Sequence, residues 1–296
     1  MKLAFWKMSG AGNDFVLLSG RAFGSAALKK LAVKLCDRKA GIGADGLLYV
    51  NPALFPNGPK CGVKKSGAGR VSLRYFNSDG SEAFCGNGSR CAAWWAHSSG
   101  LVKGNDFELD TIRGVLPVLV TGREKIKMRM PLVHSVQLNY KGGYPAPVSP
   151  ALSLRGVLRK CGAGTAHFLN TGAPHAVVPL ENIAALDVDS LGRRLRFHKA
   201  FGPAGANVNF VEFSGSRVLI RTYERGVEAE TLACGTGITA GAIALGLEKG
   251  LVCPVLVTAK SGENFKVWFK AGPRGSIDTI YIEGPAKTVF EGRIDI

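Results

Sequence analysis

The sequence predicts an α+β protein of two pseudo-symmetric domains, each a curved, mostly antiparallel sheet wrapped around a central buried helix. Three observations carry that expectation. The tetrapeptide Cys-Gly-x-Gly occurs twice, as Cys85-Gly86-Asn87-Gly88 and Cys234-Gly235-Thr236-Gly237, each followed by an apolar stretch that reads as a helix. Flanking features repeat in the same order around both copies, which argues for duplication. Ser9-Gly10-Ala11 leads to Phe15-Val16 as Thr171-Gly172-Ala173 leads to Val177-Val178, and Gly100-Leu101-Val102 is matched by Gly250-Leu251-Val252. Finally, the run Ile238–Leu247 has almost no polar face, and a helix apolar on every side has to be enclosed on every side.

Apolar alternation and β-branched runs bounded by turn residues predict the strands. In the first half these are Leu3–Met8, Leu47–Val50, Val71–Phe76, Phe107–Thr111, Val115–Val120 and Lys125–Met130. In the second they are Ala176–Pro179, Val208–Phe213, Val218–Tyr223, Val255–Ala259, Lys266–Phe269 and Thr279–Glu283. Helical periodicity predicts Ala26–Arg38, about Gly88–His97, about Asp189–Arg194 and Gly237–Lys249. The breaker-rich segment Lys141–Pro150 reads as the seam. It divides the chain into residues 1–140 carrying Cys85, residues 151–275 carrying Cys234, and C-terminal strands at 276–296 that return to the first half. The stretch from Asn51 to Gly69, with its prolines, glycines and lysines, reads as a surface insertion.

A chain of 296 residues is long enough for two cores. No apolar run approaches a membrane span, and the start, Met1–Lys7, is too soon polar for a signal peptide. A cytoplasmic protein without membrane attachment is expected. The 7 cysteines form no Cys-x-x-Cys and meet no histidine pair at zinc-finger spacing, so free thiols are expected and structural zinc is not. Cys36, Cys61, Cys91, Cys161 and Cys253 read as packing residues. The formal net charge is +16, yet the basic residues are scattered, with only pairs such as Lys29-Lys30 and Arg193-Arg194. That is a solvated basic surface rather than a nucleic-acid tract.

The repeated thiols carry the chemistry. A cysteine at a helix start sits beside orphan backbone N–H groups, which favour an anion there and lower the thiol pKa. The glycines leave those groups open to a ligand carboxylate. A carboxylate held between two such helix starts would place its α-carbon between two sulfurs, the parts needed for racemisation or epimerisation. One cysteine as thiolate removes the α-proton and the other as thiol returns one to the opposite face, while preorganised N–H donors stabilise the enediolate-like anion. No cofactor motif or metal constellation is evident, so no cofactor is expected. Gly41–Gly46 matches GxGxxG but follows a predicted helix and precedes a strand, the reverse of the dinucleotide-binding order. It reads as a tight turn.

Beyond the tetrapeptides, the chain carries Gly10–Phe15, Asp37-Arg38 with Gly41–Leu47, Phe76–Glu82, the first cysteine motif through Arg90, Pro174-His175, Asn207–Asn209, Tyr223–Gly226 and Glu230–Gly237. In that order these resemble diaminopimelate epimerase, a cofactor-independent two-cysteine family of lysine and cell-wall synthesis. The resemblance implies that Cys85 and Cys234 are the acid–base pair and that Gly86-Asn87 and Gly235-Thr236 bind the carboxylate of the reacting centre. It further implies that Asn13, Asn77, Asn209, Glu224 and Arg225 contact the substrate, Arg225 and the asparagines at its distal end, and that His175 and Glu224 help set the protonation of the thiols. It implies a homodimer and a small amino acid substrate. Two positions depart from the family pattern. Ala173 stands where an asparagine is frequent, and Gly46 where some members carry an amide. A racemase of histidine, proline or hydroxyproline type, and a non-catalytic amino acid binding protein on the same scaffold, stay open alternatives.

Overall fold

The computed structural model describes residues 2–51, 69–131, 133, 135–140, 154–160, 162–272 and 276–296. Residues 52–68 of the expected insertion and the expected seam at 141–150 lie outside the described residues, as do Cys61 and Cys161. The chain forms two compact units, Met1–Arg129 with Glu283–Ile296, and Met130–Ile282.

In the first unit the elements run β1 (Lys2–Gly10), β2 (Asn13–Ser19), α1 (Ser25–Cys36), β3 (Gly46–Asn51), β4 (Arg70–Asn77), β5 (Glu82–Ala83), α2 (Gly86–Ser98), β6 (Asp106–Thr111), β7 (Gly114–Gly122) and β8 (Lys125–Arg129). Most steps are antiparallel, β1 on β2, β3 on β4, β4 on β5, β6 on β7 and β7 on β8. The two parallel steps, β2 to β3 and β4 to β6, are those with a helix in the connection, α1 and α2. A parallel step needs a long crossover, and a helix supplies it.

The second unit repeats the scheme with β9 (Ser135–Gln137), α3 (Leu154–Lys160), β10 (His167–Asn170), β11 (Pro174–Pro179), α4 (Val188–Arg196), β12 (Asn207–Ser214), β13 (Arg217–Glu224), β14 (Ala229–Thr231), α5 (Gly235–Lys249), β15 (Val255–Ala259), β16 (Asn264–Ala271) and most of β17 (Ile277–Pro285). Its parallel steps are β11 to β12 and β13 to β15, again crossed by helices, α4 and α5. Even the outer strand corresponds. β9 pairs antiparallel with β10, and in the first unit β18 (Lys287–Asp295) pairs antiparallel with β1.

Each unit closes around its own helix. The first twelve of α5's residues are buried apart from Thr236, and α2 is buried from Gly86 through Ala93. Enclosing Ile238, Ile243 and Leu245 contributes about 1.5–3 kcal/mol per side chain. Small residues set the spacing, since glycine and alanine let strands approach the helix axis. Trp95 packs in the core of the first unit with its ring 4.8 Å from that of Trp6. Both central helices begin two residues earlier than the periodicity indicates, at Gly86 and Gly235, because glycines carry no apolar signal. The seven-residue α3 has too little length to show a period and is absent from the sequence expectation. The Gly41–Gly46 segment is a turn wrapped on the end of α1, with Ile42 N and Gly43 N both donating to Leu35 O and Gly43 at φ +78.

Candidate active site

Parallel pairing explains why the site residues gather. In the first unit β2 and β3 begin at the sheet edge where β4 ends and α2 starts, so Asn13, Asn77 and Cys85 come from far-apart positions to one rim. In the second, β11 and β12 begin where β13 ends and α5 starts, which brings His175, Asn207, Glu224, Arg225 and Cys234 to a second rim.

Cys85 is the N-cap residue of α2, with extended backbone (φ −133, ψ 114), and its sulfur accepts from Gly88 N at 3.4 Å. It is half-buried. Asn87 is the second residue of α2. Its Nδ2 donates to Asn13 Oδ1 at 2.6 Å and its Oδ1 accepts from Arg90 Nη2 at 2.6 Å. Asn13 Nδ2 in turn donates to Asp45 Oδ2 at 2.9 Å. Arg38 bridges Asp14 and Asp45 at 2.7 Å each, and Lys7 reaches Asp14 at 2.6 Å. Burial raises the Asp14 carboxyl, but the Arg38 and Lys7 partners outweigh it and hold it down to about 2. Asn77 Oδ1 accepts from Tyr75 Oη at 2.8 Å and Nδ2 donates to Ser81 Oγ at 2.9 Å. The Tyr75 ring fills the space that a side chain at Gly46 would need.

Arg90 is fully buried, which the sequence gives no cause to expect. Its guanidinium donates to three uncharged oxygens, those of Asn87, Gly86 and Pro285. Burial drags it down to about 10, while the thiols Cys91 and Cys85 pull the other way. Cys91 is itself pushed up to about 12 by burial and stays neutral at physiological pH. Five residues after Cys234 the matching position is Thr239, buried and bonded to Gly235 O at 2.9 Å.

Cys234 is likewise an N-cap residue (φ −122, ψ 112). Its sulfur lies 3.4 Å from Thr236 Oγ1, which lies 3.0 Å from His175 Nε2. His175 Nδ1 faces Asn209 Nδ2 at 3.0 Å. Asn209 also donates to Ala176 O at 3.2 Å and accepts from Thr222 Oγ1 at 3.0 Å. Both residues are fully buried. Burial, then the nearby Arg225 charge, hold the His175 imidazole down to about 3, outweighing the Asn209 hydrogen bond, which acts the other way. Arg225 N donates to Asn207 Oδ1 at 2.9 Å, and Asn207 Nδ2 donates to Pro174 O at 3.0 Å. Asn207, rather than Asn209, is therefore the asparagine at the strand mouth beside Arg225. Thr171 Oγ1 ties the β10–β11 turn to the helix start through Thr236 O at 2.9 Å.

The glycines of the tetrapeptides do more than open the N–H groups. A methyl at Gly237 would overlap Asn209 Oδ1, and one at Gly88 would come 2.8 Å from Leu48 Cδ2. The second glycine of each copy exists so that the sheet can press against the first helical turn. Asn207 and Arg90 stand within the motifs quoted from the sequence without a role of their own, and Asp45 and Tyr75 join the network only through the fold. The alternation of asparagines in Asn207-Val208-Asn209, which puts both on one face of a strand, was the available signal for the first.

Among the described residues no cluster of three or more histidine, cysteine or acidic side chains could hold a metal ion, and no helix is long and apolar enough to cross a membrane. The family profile for diaminopimelate epimerase matches residues 5–134 and 167–289. The chain belongs to the diaminopimelate epimerase family. It is 39% identical over 306 residues to the diaminopimelate epimerase of Aquifex aeolicus, covering 99% of this chain and 98% of that one. It is 36% identical over 293 residues to that of Chlorobaculum tepidum, covering 98% and 100%. Among solved structures, the PhzF-family phenazine biosynthesis protein of Bacillus anthracis superposes with a TM-score of 0.71 at 16% identity, covering all of both chains. A probable proline racemase from Agrobacterium radiobacter gives 0.67 at 16% identity over 99% of this chain and 93% of that one. These last two likenesses concern the fold alone.

Proposed function

We propose that this chain interconverts LL- and meso-diaminopimelate, with Cys85 and Cys234 as the acid–base pair at one α-carbon. The observation that carries the reading is that each repeated cysteine caps the N-terminus of its unit's buried helix, in a chain of the diaminopimelate epimerase family. The substrate's reacting carboxylate accepts from the backbone N–H groups of Gly86-Asn87 and Gly235-Thr236, whose helix starts favour negative charge. One cysteine enters as thiolate and takes the α-proton. The pair of electrons left on carbon delocalises into the carboxylate as an enediolate, which the same N–H groups hold more tightly than the ground state. The other cysteine delivers its proton to the opposite face and becomes the thiolate of the return reaction.

Asn13, Asn77 and Arg225 hold the distal amino acid end. Arg225 takes its carboxylate, and the salt-bridged Asp14–Arg38–Asp45 cluster fixes Asn13. Glu224, at the end of β13, helps set thiol protonation. Asn209, whose amide is engaged with His175, Ala176 and Thr222, acts through His175 rather than on the substrate. The chain works in the cytoplasm, in lysine and peptidoglycan-precursor synthesis, as a homodimer. The exposed outer strand β18, with Val289 and Phe290 58% and 48% accessible, supports self-association.

Incubation with LL-diaminopimelate in deuterated water tests the reading. One α-hydrogen should exchange in the wild type and in neither Cys85→Ala nor Cys234→Ala. Exchange seen only with proline, hydroxyproline or histidine would assign a different substrate, and binding without exchange would assign a binding protein. Activity should also trace a bell against pH, since one thiol must be ionised while the other is protonated. A flat profile from about pH 6 to 10 with chemistry limiting contradicts the paired-thiol mechanism.

A further inference from the structure

The two thiols come from matched sheets yet rest on different residues. Pairing sets Phe15 opposite Gly46 in the first unit and His175 opposite Asn207 in the second. His175 therefore holds the place of Phe15, and Asn209, two residues along β12, that of Leu48, two along β3. Beneath Gly88 the floor is apolar, made by Leu48 and Phe15. Beneath Gly237 lies Asn209, bonded to His175.

The polar floor has a direction. Ala176 O can only accept, so the Asn209 amide must turn its Nδ2 toward it. The same nitrogen reaches His175 Nδ1, while Oδ1 takes the Thr222 hydroxyl proton. Nδ1 is then the acceptor and the ring proton sits on Nε2, which donates to Thr236 Oγ1. That hydroxyl has one proton of its own, and Cys234 Sγ stands 3.4 Å away to receive it. We propose that Thr236 is a positioning residue whose hydroxyl donates to the Cys234 sulfur, so that the Asn209–His175–Thr236 chain favours the thiolate of Cys234 as proton-abstracting base. At the matching place in the first unit stands Asn87, whose amide bonds to Asn13 and Arg90. Cys85 accepts from Gly88 N–H and feels the Arg90 charge.

The strands packed against α5 bring few other charges to this end. His167 sits against Glu248 in the last turn, Glu212 accepts from Ile183 N, Arg221 pairs with Glu230, and Lys266 and Lys270 are exposed. Among the described residues, His175, Glu224 and Arg225 are ionisable groups on the rim that carries Cys234. The low proton affinity of His175 keeps the ring neutral throughout the working pH range, so the direction of the chain does not reverse. His175 accordingly orients a donor and exchanges no proton itself.

The inference rests on the two-cysteine reading, and its test separates the two. Iodoacetamide alkylation of Cys234 and Cys85 is followed by peptide mass spectrometry from pH 5 to 9 in wild type, Thr236→Val and Thr236→Ser. Thr236→Val should slow alkylation of Cys234 at neutral pH about fivefold to tenfold, the effect of removing a hydrogen bond to a charged group. The profile should move to higher pH at Cys234 only, and Thr236→Ser should restore it. A Thr236→Val profile that coincides with the wild type, or a serine variant as impaired as the valine one, overturns the relay. If α-hydrogen exchange persists in the wild type while the profiles coincide, the relay falls and the two-cysteine reading stands. A wild type without exchange removes that reading whatever the profiles, and the base assignment with it.

Discussion

Lowering the pH from 7.5 to 5 is expected to cost the native state about 2 kcal/mol through His175 alone. In an unfolded chain an imidazole protonates at a pKa of about 6.5, whereas in the native state burial and Arg225 hold His175 down to about 3. The native value lies below the unfolded one, so the unfolded state binds the proton first. The associated stability is complete above about pH 6.5 and falls as pH drops toward 3, by about 1.4 kcal/mol per unit. From 6.5 to 5 is about 1.5 units, hence about 2 kcal/mol. His167 is also held low by burial, although Glu248 opposes the shift, and adds a loss of the same sign. A comparison with His175→Gln removes that background, since Gln cannot take up the proton. Urea unfolding of both proteins at the two pH values supplies the four free energies. The acid-induced loss should be smaller in His175→Gln by about 2 kcal/mol. Equal losses in the two proteins would refute the claim that His175 is buried neutral, and with it the assigned tautomer.

The tetrapeptide glycines should differ in their tolerance of a methyl group. Gly237→Ala drives into Oδ1 of Asn209, a side-chain amide locked by three partners, and should lower stability by about 2–3 kcal/mol in thermal or urea unfolding, with loss of exchange activity. Gly88→Ala meets the tip of Leu48, a side chain that can change rotamer, and should cost about 1 kcal/mol. Equal costs would mean that the polar floor under Cys234 is as pliable as the apolar one under Cys85.

Much of this was legible in one dimension. Strands such as Val218–Tyr223 announce themselves because a half-buried sheet imposes a period of two on side chains. The apolar helix after Cys234 announces its own enclosure. The duplicated tetrapeptide, with its ordered neighbours, specifies two like units and singles out Cys85 and Cys234, because a repeat is visible without any knowledge of contacts. The helix starts were offset by two residues because glycine contributes neither hydrophobicity nor helix preference, and the seven residues of α3 are too few to display a period.

What sits behind each thiol was decided only by the fold. Phe15 and His175, or Leu48 and Asn209, become equivalent only once β2 lies parallel to β3 and β11 to β12. Asn87 and Thr236 occupy the same place in the repeat, yet one turns to Arg90 and Asn13 and the other to His175 and the Cys234 sulfur. Local pattern depends on residues a few positions apart, and a sequence carries that directly. A partner of a buried amide or guanidinium can lie far away along the chain, as Pro285 does from Arg90. Only the packing of strands and helix selects which distant group satisfies it.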